Sequence, residues 1–115
     1  IINMNCTFVD NNRIDIGNGV LIASNVQIYT ATHPTKAVER MVNDWNGNGA
    51  FYRTFAWPVR IEDNVWIGGG AILLPGVTVG RNSVVGAGSV VTRSIPADCV
   101  AVGNPCRVLK HLAEE

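Results

Sequence analysis

The chain of 115 residues holds two histidines, His33 and His111, and three cysteines, Cys6, Cys99 and Cys106, and these bound the chemistry open to it. Neutral imidazole suits proton removal near neutral pH, so His33, within Tyr29-Thr30-Ala31-Thr32-His33-Pro34, is a candidate general base. A lone histidine is more often structural, and its place in the chain has to decide. The cysteines are odd in number and lack metal-ligand spacing, which reads as free thiols in a reducing compartment. Cys6 falls at an inward position and Cys106 in a turn, neither beside a base, so both read as structural thiols rather than nucleophiles.

What must position His33 is a repeat. From Ile61 a branched or aliphatic residue returns every sixth position, at Ile67, Leu73, Val79, Val85 and Val91, and four places after Ile61 and its successors come Val65, Ala71, Val77, Ser83 and Ser89. A six-residue period is the signature of a parallel β-helix, in which three hexads close one triangular coil. Stacked coils need aliphatic columns inside and residues tolerant of positive φ at the corners. Asp63-Asn64, Gly69-Gly70, Pro75-Gly76, Arg81-Asn82 and Ala87-Gly88 fall where those corners belong. A helical reading fails at Gly68-Gly69-Gly70, Pro75-Gly76 and Gly86-Ala87-Gly88.

The earlier chain keeps the same count at Ile2 and Phe8, then at Ile16, Ile22 and Ile28, but the step from Phe8 to Ile16 is eight. Two residues are therefore extruded around Asp10, Asn11, Asn12 and Arg13. After Ile28 the count is lost until Ile61, and the excursion 34–60 carries Trp45, Phe51, Tyr52, Phe55 and Trp57 around a flexible Asn46-Gly47-Asn48-Gly49. Such a loop is usually functional or disordered, and its rings serve either to anchor it or to stack on a ligand. His33 stands where the repeat opens. Beyond Val91 the period is expected to end at Thr92 to Pro96, with Gly103-Asn104-Pro105-Cys106 as a closing turn. Residues 107–115 read as a short C-terminal helix that caps the last coil, after one β-helix domain over 1–106.

Nine basic residues balance nine acidic ones, which argues against a nucleic-acid or polybasic membrane surface. No stretch approaches a membrane span, and no signal-peptide pattern opens the chain, so a cytoplasmic location is expected. Ile1 already lies within a repeat, the pattern of a fragment lacking earlier coils or an N-terminal segment.

The run from Ile61 through Trp66-Ile67-Gly68-Gly69-Gly70, with Pro75-Gly76-Val77, Val85-Gly86-Ala87-Gly88 and Gly103-Asn104-Pro105-Cys106, resembles the hexapeptide-repeat acyltransferases. The His33-Pro34 segment, preceded by Asn3 and by Asp10-Asn11, narrows the resemblance to sugar O-acetyltransferases of the maltose, galactoside and nodulation type. The resemblance implies an all-β fold, a left-handed parallel β-helix, and a homotrimer with active sites between subunits. It also implies acetyl-CoA as acyl donor without a required metal, and direct transfer to a sugar hydroxyl in a ternary complex with His33 as general base.

By the same resemblance, Asn3 and Asn11 fall where the family holds its acceptor. The family has a carboxylate at the second of these positions, so Asn11 is a departure, and Asp10 beside it is a candidate replacement. Trp66, Gly69, Ala87, Gly88, Thr92, Arg93, Arg107 and Lys110 fall where the family contacts coenzyme A. Backbone N–H groups at Gly68, Gly69 and Gly70 are candidates for the oxyanion. Among rivals, a γ-type carbonic anhydrase needs three zinc-binding histidines and this chain has two. An ice-binding coil needs ranks of outward threonine. A serine-type O-acetyltransferase and a non-catalytic hexapeptide domain remain as alternatives.

Overall fold

The computed structural model describes residues 1–112, and its chain winds through three flat parallel sheets. The first sheet stacks β1 (Thr7–Val9), β4 (Gln27–Tyr29), β9 (Ile72–Leu73) and β12 (Val90–Val91). The second stacks β2 (Ile14–Ile16), β7 (Val59–Ile61) and β10 (Thr78–Val79), with Ile95 bridged to Val79. The third stacks β3 (Leu21–Ile22), β8 (Trp66–Ile67), β11 (Val84–Val85) and β13 (Cys99–Gly103). The fold is all-β and the coil is a parallel β-helix. Ile61 pairs with Val79, Ile67 with Val85 and Leu73 with Val91, each pair eighteen residues apart, so three hexads make one turn.

Every inward aliphatic from Ile22 to Val91 in this count is at most 1% exposed, and Val20, Val26, Val59, Val65, Ala71 and Val77 fill the column beside them. Three residues before every inward aliphatic of this run except Ile61, which Pro58 precedes, the backbone is left-handed: Gly19, Asn25, Asn64, Gly70, Gly76, Asn82 and Gly88 all have φ between 59° and 86°. Only glycine, asparagine or aspartate holds this conformation cheaply, which is why those types recur there. Along the edge between the second and third sheets, Asn64 Nδ2 donates to Asn82 Oδ1 at 3.2 Å and Asn82 Nδ2 to Asp98 Oδ1 at 2.7 Å. The corner amides thus form a ladder up the edge.

Departures from eighteen are absorbed at corners. Phe8 pairs with Ile28, twenty residues on, which places the two extra residues in the corner after β1. The period does not stop at Val91. It shortens: Val79 faces Ile95 and Val85 faces Ala101, sixteen residues apart. The column below this tighter coil changes from valine to serine, and Ser83 and Ser89 are fully buried. Ser83 Oγ donates to Pro96 O at 2.6 Å and accepts from Cys99 N at 3.1 Å, and Ser89 Oγ accepts from Gly103 N at 3.1 Å. These hydroxyls supply hydrogen bonds that the displaced turn cannot find in the regular ladder.

The expected C-terminal helix is not formed over the described residues. Residues 106–111 are a strand instead, β14 (Cys106–His111), antiparallel to β13 after the turn at Asn104 and Pro105. So short a segment gains little as an isolated helix, whereas pairing with β13 satisfies its amides and covers an open sheet edge. The rest of the expected helix, 113–115, lies outside the described residues.

A Cβ placed on Gly68 would meet Ala87 N at 2.5 Å, whereas one on Gly88 meets nothing within 4 Å and suffers only from φ of +71°. Gly68→Ala should therefore lower stability by about 1–3 kcal/mol through overpacking. Gly88→Asn should cost much less, because asparagine already holds the equivalent corner at Asn82. Denaturant midpoints of the two variants check this, and equal losses would refute it.

Candidate active site

The site begins where β4 leaves its sheet. Thr30, fully buried, donates its hydroxyl to Val9 O at 2.6 Å and accepts from Asn12 N at 3.0 Å. The chain then runs outward as β5 (Ala31–Thr32) and returns as β6 (Phe55–Ala56), paired antiparallel, and Trp57 N bonds Thr30 O at 2.8 Å. Asn12 Nδ2 reaches across to Ala56 O at 3.0 Å. The extruded corner and the returning leg of the excursion, forty-four residues apart at Asn12 and Ala56, are thereby one structure at their base. The eight-residue step marks the corner that holds Asn12, but nothing in the spacing marks Thr30 or the bond between the two.

His33 follows β5 directly. Its Nδ1 lies 2.9 Å from the carbonyl oxygen of Arg53 and 3.4 Å from Thr54 Oγ1, and its ring meets Tyr52 edge-on at 5.1 Å. A carbonyl oxygen only accepts, so Nδ1 carries the proton in this pairing and Nε2 of the neutral ring keeps a free lone pair. His33 is exposed, so that lone pair has access to a ligand. A short helix, α1 (Ala37–Arg40), and a bridge between Met41 and Tyr52 close the excursion beyond it.

The aromatic residues of the excursion hold each other. Trp45 meets Phe51 at 5.9 Å and Phe51 meets Tyr52 at 5.1 Å, both edge-on, and Trp45 Nε1 donates to Asn48 O and Gly49 O. This row runs from the loop tip to His33, so anchoring is a role these rings perform within the chain itself. Trp57 lies against the corner at Gly76 and pairs loosely with Phe55 at 6.2 Å.

The residues singled out for ligand binding divide between two edges of the prism. Asp10, Asn11, His33, Thr92 and Arg93 lie between the first and second sheets, Asp10 and Asn11 lining an open cleft of about 650 Å³ with Phe8, Asn12 and Ile14. Asn3, Gly69, Ala87 and Gly88 lie between the third and first sheets, stacked coil on coil, with Gly88 N bonded to Gly69 O at 2.9 Å. Trp66 stands half-exposed on the outer face of the third sheet beside that edge, in register with Leu21 and Val84. Arg93 and Arg107 come together around a small cleft with Ser94 and Val108, while Lys110 sits farther along β14 opposite Val100. Gly68 N and Gly70 N are bonded to Val85 O and Ser24 O, so of the three glycine amides only that of Gly69 remains a candidate for the oxyanion.

The bacterial transferase hexapeptide family (six repeats) matches residues 58–93. A galactoside O-acetyltransferase of Lactococcus lactis is 47% identical over 110 residues, 96% of this chain and 49% of the relative. The chain belongs to the hexapeptide-repeat transferase family. A hexapeptide-repeat acetyltransferase of Vibrio cholerae, solved with acetyl coenzyme A, superposes with a TM-score of 0.85 at 41% identity over 96% of this chain and 56% of that one. A maltose O-acetyltransferase of Clostridium difficile superposes with a TM-score of 0.80 at 50% identity over 93% of this chain and 52% of that one. The hexapeptide-repeat chain described here spans about half the length of the curated relatives it matches.

The thiols of this family member find partners other than His33. Cys99 is buried with its Sγ donating to Pro96 O at 3.2 Å, and Cys6, half-buried, donates to Ala23 O at 3.2 Å. Burial pushes the Cys106 thiol above its usual range, outweighing the hydrogen bond from Ser89 that acts the other way. Since the thiolate is the reactive form, native Cys106 should resist iodoacetamide at neutral pH and gain reactivity only as the pH rises beyond the range of an ordinary thiol. Mass-spectrometric mapping of alkylation against pH checks this, and rapid labelling of folded protein at pH 7 would contradict it.

Proposed function

We propose that the protein is an acetyl-CoA-dependent O-acetyltransferase that moves an acetyl group to a hydroxyl of a sugar or a related small acceptor. The observation that carries this reading is the pairing of His33 Nδ1 with the Arg53 carbonyl, which leaves Nε2 as an accessible base at the point where the coil opens. Relatives named galactoside O-acetyltransferase, and a structural neighbour solved with acetyl coenzyme A, supply the donor and the acceptor class.

The acceptor hydroxyl attacks the thioester carbonyl while Nε2 takes its proton. The oxygen of the tetrahedral intermediate draws on the N–H of Gly69. Collapse expels the coenzyme A thiolate, which recovers the proton from His33, leaving an ester and a free thiol and no acyl-enzyme. Asn3, Asp10 and Asn11 hold the acceptor. Trp66, Gly69, Ala87, Gly88 and Thr92 line the donor's pantetheine arm, and Arg93, Arg107 and Lys110 meet its phosphates.

The split of these residues between two edges supports a site built by two chains, one giving the His33 edge and the other the glycine edge, in a homotrimer of left-handed coils. Such an enzyme works in the cytoplasm, where acetyl-CoA is made available. Among the described residues no helix is long and apolar enough to cross a membrane. The second reading is a serine-type acceptor, kept open because Asn11 stands where the resemblance to the sugar enzymes implies a carboxylate.

Release of coenzyme A thiol from acetyl-CoA, measured with a panel of sugars and with serine, tests the proposal. His33→Ala should lower the rate by about 10²–10⁴-fold with its best acceptor. Equal rates in parent and variant would remove His33 as the base, and turnover with serine alone would replace the acceptor class.

A further inference from the structure

Arg53 lies on the returning leg of the excursion and is bonded from three sides. Its backbone N–H donates to Arg40 O at 2.6 Å, and its Nη1 donates to Glu39 O at 2.9 Å and to Met41 O at 2.7 Å. Its carbonyl accepts from His33 Nδ1 at 2.9 Å. The carbonyls it gathers are those at the end of α1, a four-residue helix without a side-chain N-cap. A helix of one turn does not sustain itself, and its last carbonyls lack partners within it. A guanidinium suits that end, since its fork presents several donors to a cluster of partial negative charge. On the other leg Arg40 Nη1 donates to Pro34 O at 3.3 Å and Thr35 O at 3.2 Å, tying the residues just after His33 to the same helix. Outgoing and returning legs therefore meet at α1, with His33 held from both.

We propose that Arg53 is a positioning residue for the base. Its guanidinium fixes the returning leg to the end of α1, so that its own carbonyl faces His33 Nδ1 and keeps the neutral ring in the Nδ1–H form with Nε2 bare. This rests on His33 acting as the base in the reading above. Arg53 touches neither donor nor acceptor in this role. Its effect passes through the orientation and tautomer of one ring, a second contact of the kind that fixes which imidazole nitrogen does the chemistry.

The ring can be read without turnover. The chain has only two histidines, so a protein labelled with ¹⁵N-histidine gives two sets of ring signals, and His111→Gln assigns them. At about pH 8.5, where an ordinary imidazole is neutral, His33 of the parent protein should show the Nδ1–H pattern. In Arg53→Ala that pattern should give way to the Nε2–H form or a mixture, and kcat should fall about 10- to 100-fold with both KM values within about twofold. Arg53→Lys should restore part of both, and it carries the same test should Arg53→Ala fail to fold. An unchanged ring and kcat in a folded Arg53 variant would overturn the proposal, as would a rise in acceptor KM at constant kcat, which would make Arg53 an acceptor contact. Failure of the base assignment gives a different result: His33→Ala would then turn over at the parental rate whatever the ring signals of Arg53→Ala.

Discussion

Everything in this molecule depends on each coil's backbone finding its partners one turn away. Trp66 N bonds Ser83 O, Gly68 N bonds Val85 O and Ile72 N bonds Ser89 O, each to the coil above. Because its aliphatic columns lie inside the coil, the prism buries them only while successive turns remain in register. A slip of one residue would turn Ile67, Leu73 and Val79 outward, so the register is enforced by the whole core at once. Corner residues such as Asn64, Gly70 and Gly88 follow from the same demand, because the chain can turn sharply enough between flat strands only with positive φ.

Under that constraint, extra residues cannot be spread through the coil and must leave it at a corner. Both large departures leave along the edge between the first and second sheets, at Asp10 to Arg13 and at Thr30 to Trp57. Asn12 and Thr30 join them, since the buried hydroxyl of Thr30 and the amide of Asn12 would each be costly to leave without a partner. Placement of His33 thus follows from register, through two polar side chains, to a ring whose proton is set by a main-chain carbonyl.

Much of the fold was readable in the sequence because the repeat leaves the same residue types in the same columns. Ile61, Ile67, Leu73, Val79, Val85 and Val91 are buried as their spacing requires, and the second residue of each corner pair named from the sequence has positive φ. The last coil was not readable, because shortening by two residues moves Ile95 and Ala101 off the six-residue count while leaving them inside. Nor was β14, since Val108, Leu109 and Leu112 fit a helical face as well as they fit a strand, and only the open edge of β13 decides between them. At the site, His33 stood out by its place at the break. Arg53 did not, for its role needs the chain to fold back by twenty residues, and the carbonyl that matters belongs to no particular side chain.

The excursion enters and leaves the prism at nearly one point, with Trp57 N bonded to Thr30 O. Val59 then resumes the second sheet opposite Ile14, as though no residues had intervened. The length and sequence beyond that clasp are therefore uncoupled from the coil's register. The architecture is modular beyond the Met41–Tyr52 bridge: segments of other lengths can be exchanged there without touching either the coil or the contact between His33 and Arg53.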